Sequence, residues 1–200
     1  MPTTFIQKQG SKTSRNMKQV ILIHGWEGYP EEAWFPWFKK EMAAKGFKVE
    51  VPQMPNPDEP QMNEWVPKLA EVVGEPDKDT YLIGHSLGCI TILRYLESLQ
   101  EDQGIGGAVL VAGFSDPLGY KELENYFEKP IRWEKIRKAC PRFVAIHSTN
   151  DPYVPMKHAD IFREKLGAKI IVEEKKGHMG GSDNMKELQS AVDAMIEVSS

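Results

Sequence analysis

The sequence predicts an α/β fold: one mostly parallel sheet of about six strands with helices on both faces. Short apolar runs that end at a glycine or a polar residue alternate about six times with segments of helical periodicity. This alternation is typical of parallel strands joined by right-handed helical crossovers. The 200 residues suit one domain, and the longest apolar run, near 108–114, is too short to cross a bilayer.

Each strand is predicted from a short run rich in β-branched and other apolar residues. The first run, KQVILIHG, ends at a glycine, and the fifth, RFVAIHS, ends at a serine. The six predicted strands span 18–25, 47–52, 80–84, 106–113, 142–148 and 168–174. In a parallel sheet, ligands bind at the carboxyl ends of the strands, so the loops that follow these runs are the candidate site.

The helices are predicted from their ends and from apolar spacing. The first has Pro36 near its start and Gly46 at its end, and the last repeats apolar residues at helical spacing from Leu188 to Ile196. The predicted helices span 36–46, 63–74, 87–99, 157–167 and about 188–196, with one or two short helices within 119–139. Only about 30 residues separate the fourth and fifth strands, so we expect no large lid domain.

The charges divide the chain into a basic N-terminus and an acidic body. Residues 1–18 hold four basic residues, no acid and no apolar signal region, so we expect a flexible tail before a single domain at 19–200. The rest has 21 basic and 29 acidic residues, a net charge of −8, which argues against nucleic-acid and anionic-membrane partners. Cys89 and Cys140 form no metal or disulfide pattern, which favours a cytoplasmic location.

Residues 84–88, Gly-His-Ser-Leu-Gly, place Ser86 between the third strand and the following helix. This context is typical of a nucleophile elbow, where glycines let the strand and helix approach closely. The Leu87 N–H at the helix start is a candidate oxyanion donor, and the Trp26 N–H, beside Gly25 after the first strand, is the second. Alternatively, Ser86 only caps the helix and Trp26 is a buried residue at a strand end.

A serine nucleophile needs a general base, and the chain has five histidines. His178 lies in a glycine-rich loop after the last strand and can swing towards Ser86; the alternative is a histidine in a surface loop. His24 and His147 lie at strand ends and are expected to be structural, whereas His158 lies in a helical pattern and is expected to be solvated.

The base needs a carboxylate that orients it, and two aspartates follow neighbouring strands. Asp151 precedes Pro152, which keeps it extended, and it is the preferred acid. Asp116 is its rival, and either residue could instead form a turn. The resulting chain order of Ser86, Asp151 and His178 is the order expected of α/β-hydrolases.

The predicted substrate-binding residues are apolar or aromatic residues in loops that follow strands. They are Trp26, Tyr29, Met54, Phe114, Tyr153 and Met179. The alternative for each of them is ordinary loop packing. We predict a serine hydrolase that forms an acyl-enzyme from small carboxylic esters or small amides, without a metal or other cofactor. The competing hypothesis is a hydrolase fold that serves as a protein-interaction module with little activity.

The segments HGW with WFPW, GHSLG, NDPYVP and GHMGG together resemble the small serine hydrolase family of retinoblastoma-binding protein 9 and the bacterial YdeN-like proteins. The resemblance covers about 19–198 and implies a minimal α/β-hydrolase fold, with the family's triad on Ser86, Asp151 and His178. The animal name refers to a Leu-x-Cys-x-Glu segment that binds retinoblastoma protein. The nearest segment here, LGCIT, has Thr91 in place of the glutamate, so that partner is not implied.

Overall fold

The computed structural model describes residues 17–200, and the predicted flexible tail at 1–18 lies almost wholly outside them. Lys18, the last residue of that predicted tail, belongs to the fold. Its ammonium group donates to the Ser199 carbonyl and lies 5.8 Å from the centre of the Tyr81 ring. This hydrogen bond ties the residue before the first strand to the residue after the last helix.

All six strands that were predicted are present in one sheet. They are β1 (Gln19–Ile23), β2 (Lys48–Glu50), β3 (Thr80–His85), β4 (Gly107–Val111), β5 (Phe143–Ser148) and β6 (Lys169–Glu173). The strand order is β2-β1-β3-β4-β5-β6, and every neighbouring pair is parallel, which confirms the predicted parallel sheet. The second strand is shorter than predicted because it leaves the ladder before Pro52, which has no N–H to extend it.

Within residues 17–200, six α-helices cover the two faces of the sheet. They are α1 (Phe35–Ala44), α2 (Met62–Val73), α3 (Leu87–Ser98), α4 (Trp133–Ala139), α5 (Lys157–Leu166) and α6 (Gln189–Val198). Helices α2 to α5 share one hydrophobic core, and α1 and α6 share the other. Alternate residues of β1 supply the two cores, with Ile21 and Ile23 in the first and Val20 and Leu22 in the second. Burial on both faces explains why the strands are almost continuously apolar.

The strand order reverses between β1 and β3, because the chain leaves β1 to form the edge strand β2 and then returns to β3. The loops after β1 and β3 diverge at this point and leave a crevice at the carboxyl ends of the strands. The connection from β4 to β5 contributes only a short 3-10 helix (Lys121–Tyr126) and α4. The cap over this crevice is therefore small, as the sequence predicted.

Candidate active site

Ser86 occupies a strained turn between β3 and α3. Its φ of 53° and ψ of −117° lie in a region that non-glycine residues rarely adopt. The turn is held by the Ser86 N–H, which donates to the Val111 carbonyl at 2.8 Å. The Ser86 side chain makes no hydrogen bond to the first N–H groups of α3. The alternative that Ser86 only caps this helix requires such a bond.

The two glycines of the motif allow the elbow to pack against neighbouring backbone. A Cβ at Gly84 would lie 2.6 Å from the carbonyl carbon of Gly88. A Cβ at Gly88 would overlap the carbonyl oxygen of Ile23 at the end of β1. Since backbone cannot yield as a flexible side chain does, this close approach requires glycine at both positions.

A chain of hydrogen bonds links Ser86 to two residues from distant loops. His178, after β6, places Nε2 2.9 Å from Ser86 Oγ and Nδ1 2.8 Å from Asp151 Oδ2. Asp151, after β5, also accepts the N–H groups of Tyr153 and Val154 at 2.9 and 3.0 Å on its other oxygen. The three predicted catalytic residues therefore lie together, in an arrangement suited to proton transfer from the serine.

Asp151 is buried, and its side chain is only 2% exposed. Burial by itself raises the pKa of this carboxyl, but the hydrogen bond and charge of His178, with the N–H groups of Val154 and Tyr153, outweigh it and hold the pKa below its usual value. Asp151 is therefore ionised at neutral pH and can orient the imidazole and stabilise its protonated form.

The rival carboxylate, Asp116, is engaged elsewhere. Its Oδ2 forms an ion pair with Lys157 at 2.8 Å, and its Oδ1 accepts the Leu118 N–H at 3.0 Å. His158 lies 3.8 Å from Asp116 through Nε2 and is fully buried, so the prediction that His158 is solvated is wrong. The ring is buried because its Nδ1 bonds to Ser115: it accepts the Ser115 N–H at 3.2 Å and lies 3.1 Å from the Ser115 hydroxyl oxygen.

The predicted oxyanion donors line the same cavity as Ser86, on opposite sides of the crevice between β1 and β3. Among the described residues, neither the Trp26 N–H nor the Leu87 N–H donates to a protein acceptor. A Cβ at Gly25 would lie 3.2 Å from Ser86 Cβ, so the loop after β1 reaches the serine closely. Two free N–H groups beside a hydroxyl, one at the N-terminus of α3, form a geometry that can stabilise a developing oxyanion.

Side chains from three other segments hold the backbone of the loop that carries His178. His85 Nε2 lies 2.9 Å from the His178 carbonyl oxygen, and Trp34 Nε1 donates to the Met179 carbonyl at 3.0 Å. Glu32 Oε1 accepts the Gly181 N–H at 3.3 Å. Just before His178, the Lys176 N–H donates to Ser148 Oγ and the Gly177 N–H donates to Asn150 Oδ1, each at 2.9 Å. Sequence reasoning missed these residues, because side-chain bonds to a distant backbone leave no periodic signal.

His85 is a neutral partner in this arrangement. Burial, reinforced by the charge of His178, lowers the pKa of His85 to about 3. Its Nε2 therefore carries the proton that is donated to the His178 carbonyl, and its buried Nδ1 has no hydrogen-bond partner among the described residues. The residue before the proposed nucleophile thus fixes the main chain of the proposed base.

A cavity of about 420 Å³ opens at Ser86. Three of the predicted substrate-binding residues line it, namely Trp26, Phe114 and Tyr153. Leu118, Tyr120 and Leu123 from the cap, and Glu27 and Glu32 from the loop after β1, also line it and were missed. The cap residues were missed because the sequence could not place the β4–β5 connection over the crevice.

The structure places the other three predicted substrate-binding residues elsewhere, so those predictions are wrong. Met54 is only 1% exposed and packs in the core beside α2, with its N–H bonded to His24 Nε2 at 3.0 Å. Met179 is fully buried in the opposite core, because its position after His178 turns its side chain towards α1 and α6. Tyr29 is 52% exposed and lies outside the cavity. A loop after a strand therefore supplies both site and core residues.

Two histidines that were predicted to be structural, and one cysteine of the elbow helix, are buried. His24 and His147 are buried, as expected of structural histidines. Cys89 is buried within α3, and its thiol donates to the Gly84 carbonyl at 3.1 Å. Burial raises the pKa of this thiol far above its usual value, so it contributes packing and not a thiolate.

Comparison with known proteins identifies the family. Residues 20–196 match the family model described as serine hydrolase. YdeN of Bacillus subtilis (strain 168) is 31% identical over 179 residues, covering 89% of this chain and 94% of YdeN. The chain belongs to the serine hydrolase family. Its relative serine hydrolase RBBP9 of Rattus norvegicus is also 31% identical over 179 residues, covering 88% of this chain and 89% of RBBP9.

The solved structure of a relative agrees with membership of this family. The crystal structure of the B. subtilis ydeN product superposes with a TM-score of 0.86 at 31% identity, covering 90% of this chain and 98% of that one. This confirms the predicted α/β-hydrolase fold without a large lid. Est1E from Butyrivibrio proteoclasticus, solved with ferulic acid bound, gives a TM-score of 0.74 at 14% identity and shares the fold alone, over 94% of this chain and 91% of that one.

Within residues 17–200, every helix is too short or too polar to span a membrane. Over the same part of the chain, no group of three or more His, Cys, Asp or Glu side chains is placed to hold a metal ion.

Proposed function

We propose that this serine hydrolase cleaves small carboxylic esters, and small amides, through Ser86, His178 and Asp151. The observation that carries the proposal is the continuous chain of hydrogen bonds, 2.9 Å from Ser86 to His178 and 2.8 Å from His178 to Asp151. Such a chain supplies an otherwise unreactive hydroxyl with a base, and supplies the base with an orienting carboxylate.

In the proposed reaction, His178 Nε2 accepts the Ser86 proton while Oγ attacks the carbonyl carbon of the ester. The Leu87 and Trp26 N–H groups stabilise the oxyanion, and Asp151 stabilises the imidazolium. The intermediate collapses when His178 gives the proton to the leaving alcohol, and the acyl group remains on Ser86. Water, deprotonated by His178, then attacks this acyl-enzyme and releases the carboxylic acid.

The preference for small substrates is supported by the shape of the site. The cavity of about 420 Å³ lies in the range of small-molecule pockets. The part of the β4–β5 connection that lines the cavity is short, with Leu118, Tyr120 and Leu123 at or beside one 3-10 helix, and it offers little surface to enclose a long acyl chain. Leu118, Leu123 and Phe114 all line the cavity, so an apolar acyl group would have apolar neighbours.

Labelling with a fluorophosphonate tests the nucleophile. We expect one covalent adduct per wild-type chain by intact mass and none on Ser86→Ala. A series of p-nitrophenyl esters tests the substrate class, and we expect the acetate and butyrate to be hydrolysed faster than the decanoate. A wild-type protein that neither labels nor hydrolyses any of these esters would contradict the proposal and favour the interaction-module hypothesis. The cytoplasmic location and the lack of cofactor and nucleic-acid partner stay predictions.

A further inference from the structure

The cavity around Ser86 is acidic on the side of the loop after β1. Its carboxylate-bearing lining residues are Glu27 and Glu32, and none of the described residues that line it is lysine or arginine. Within residues 17–200, neither glutamate forms an ion pair with a basic side chain. This differs from Asp116 nearby, whose charge is matched by Lys157 at 2.8 Å. The cavity therefore holds negative charge that the protein itself does not neutralise.

Glu32 is the better placed of the two glutamates to act on a bound molecule. Glu27 is exposed, whereas Glu32 is half-buried and is held by the Gly181 N–H at 3.3 Å. Burial raises the pKa of Glu32, and the N–H groups of Gly181 and Tyr29 with the charge of His178 oppose this only in part. A carboxylate that has lost water without gaining a cation is stabilised by a positive charge placed beside it.

Aromatic rings surround the same space. Trp26, Tyr120 and Tyr153 line the cavity together with Glu32, and Trp26 meets Tyr120 edge to face with ring centres 5.8 Å apart. Ring faces attract cations within about 6 Å of their centres, most strongly for tryptophan. A carboxylate and several aromatic rings in one small cavity form surroundings that suit an ammonium group better than a carboxylate or an uncharged alkyl group.

We propose that Glu32 selects substrates that carry a positive charge, so that the site hydrolyses an ester bearing an ammonium group faster than its uncharged isostere. This inference rests on the proposed esterase function and adds the charge class of its substrate. The main electrostatic attraction comes from Glu32, and the aromatic rings add a smaller attraction for the cation that remains when the carboxylate is removed.

The test compares butyrylthiocholine with 3,3-dimethylbutyl thiobutyrate, in which a carbon replaces the quaternary nitrogen. The two thioesters share the acyl group and the shape of the leaving group, and release of thiol gives kcat/KM for each. We expect wild type to favour the cationic thioester by roughly three- to tenfold, and to favour it less as ionic strength rises. Glu32→Gln keeps an oxygen that accepts the Gly181 N–H but removes the charge, so it should lose most of this preference.

The matched control is Glu31→Gln, which removes the same charge one residue away. Glu31 is exposed and lies outside the cavity, so this variant should keep the wild-type ratio of the two kcat/KM values. The inference is overturned if wild type shows no preference for the cationic thioester. It is also overturned if Glu32→Gln slows both thioesters equally, because the residue would then act through the His178 loop and not on the substrate.

The neutral thioester separates failure of this inference from failure of the proposed function. If wild type hydrolyses both thioesters equally while Ser86→Ala hydrolyses neither, the esterase proposal stands and the role of Glu32 is wrong. If wild type hydrolyses neither thioester and does not react with the fluorophosphonate, both proposals are wrong.

Discussion

His85 Nε2 lies 2.9 Å from the carbonyl oxygen of His178, so the residue beside the proposed nucleophile supports the main chain of the proposed base. The two rings are 5.0 Å apart between their centres. Because burial lowers the pKa of His85 to about 3, this contact is a donation from a neutral ring and persists across the physiological pH range. The elbow and the base loop are thereby joined by a bond that does not itself take part in the proposed proton transfer.

Replacing this donor should affect turnover more than substrate binding. In His85→Phe the ring keeps its bulk but loses the N–H, so we expect kcat for p-nitrophenyl butyrate to fall roughly tenfold or more with little change in KM. His85→Gln retains an N–H at similar reach and should recover part of the loss. The idea is wrong if the phenylalanine variant matches wild type in kcat, or if glutamine gives no more activity than phenylalanine at equal melting temperature.

The two candidate acids should differ sharply when each is converted to the amide. Asp151→Asn removes the charge that orients and stabilises His178, so we expect kcat for the same ester to fall by roughly 10³-fold or more. Asp116→Asn breaks an exposed ion pair with Lys157 and should change kcat by less than about twofold. Similar losses in both variants would leave the assignment of the acid to Asp151 without support.

His147 should make the fold sensitive to acid. Burial lowers the pKa of His147 to about 4, whereas an unfolded histidine titrates near 6.5. The unfolded chain binds this proton first, so the stability is complete above about pH 6.5 and is lost as the pH falls towards 4. The loss from this residue alone amounts to about 2 kcal/mol at pH 5.

The variant His147→Phe isolates that contribution. Both ring nitrogens of His147 are buried without a partner among the described residues, and Phe162 lies 6.0 Å away between ring centres, so an apolar ring suits the site. We expect the difference in unfolding free energy between pH 7 and pH 5, measured by urea denaturation, to be smaller in the variant than in wild type. An unchanged difference would show that His147 does not contribute to acid sensitivity.

Arg94 should hold the cap against α3, and its charge is balanced by a buried carboxylate on the same helix. Arg94 Nη1 lies 2.7 Å from Glu97 Oε2, and both side chains are less than 8% exposed. Arg94 also donates to the Tyr126 and Lys129 carbonyls at 2.8 and 2.7 Å. Arg94→Met leaves Glu97 buried without its partner, so we expect a loss of roughly 3–5 kcal/mol and faster amide hydrogen exchange across 126–132.

The double variant Arg94→Met with Glu97→Leu provides the control for this prediction. Removing both charges avoids the uncompensated buried carboxylate, so part of the lost stability should return. Exchange across 126–132 should remain fast, because the donors to the cap carbonyls are still missing. A double variant less stable than Arg94→Met would contradict this account of the pair.

Much of the fold could be predicted because it depends on patterns that are local in sequence. Continuous apolar runs with short connections indicated buried parallel strands, and the structure confirms six of them. The ends of the elements were less predictable: the second strand is only Lys48–Glu50, since it leaves the ladder before Pro52 although β1 continues to Ile23. Likewise, the β4–β5 connection proved to be a 3-10 helix and a short α-helix, both of which pack against α3, a long-range contact that the local sequence does not record.

The amino-acid sequence by itself determined which loops follow strands, and therefore that Ser86, Asp151 and His178 lie at the same edge of the sheet. Tertiary structure alone decided that His178 reaches both Ser86 and Asp151, that Asp116 pairs with Lys157, and that Met54 and Met179 are buried in the two cores. The physical reason is that these relationships join residues far apart in the chain. Their distances depend on strand order and on how loops pack, which no local periodicity records.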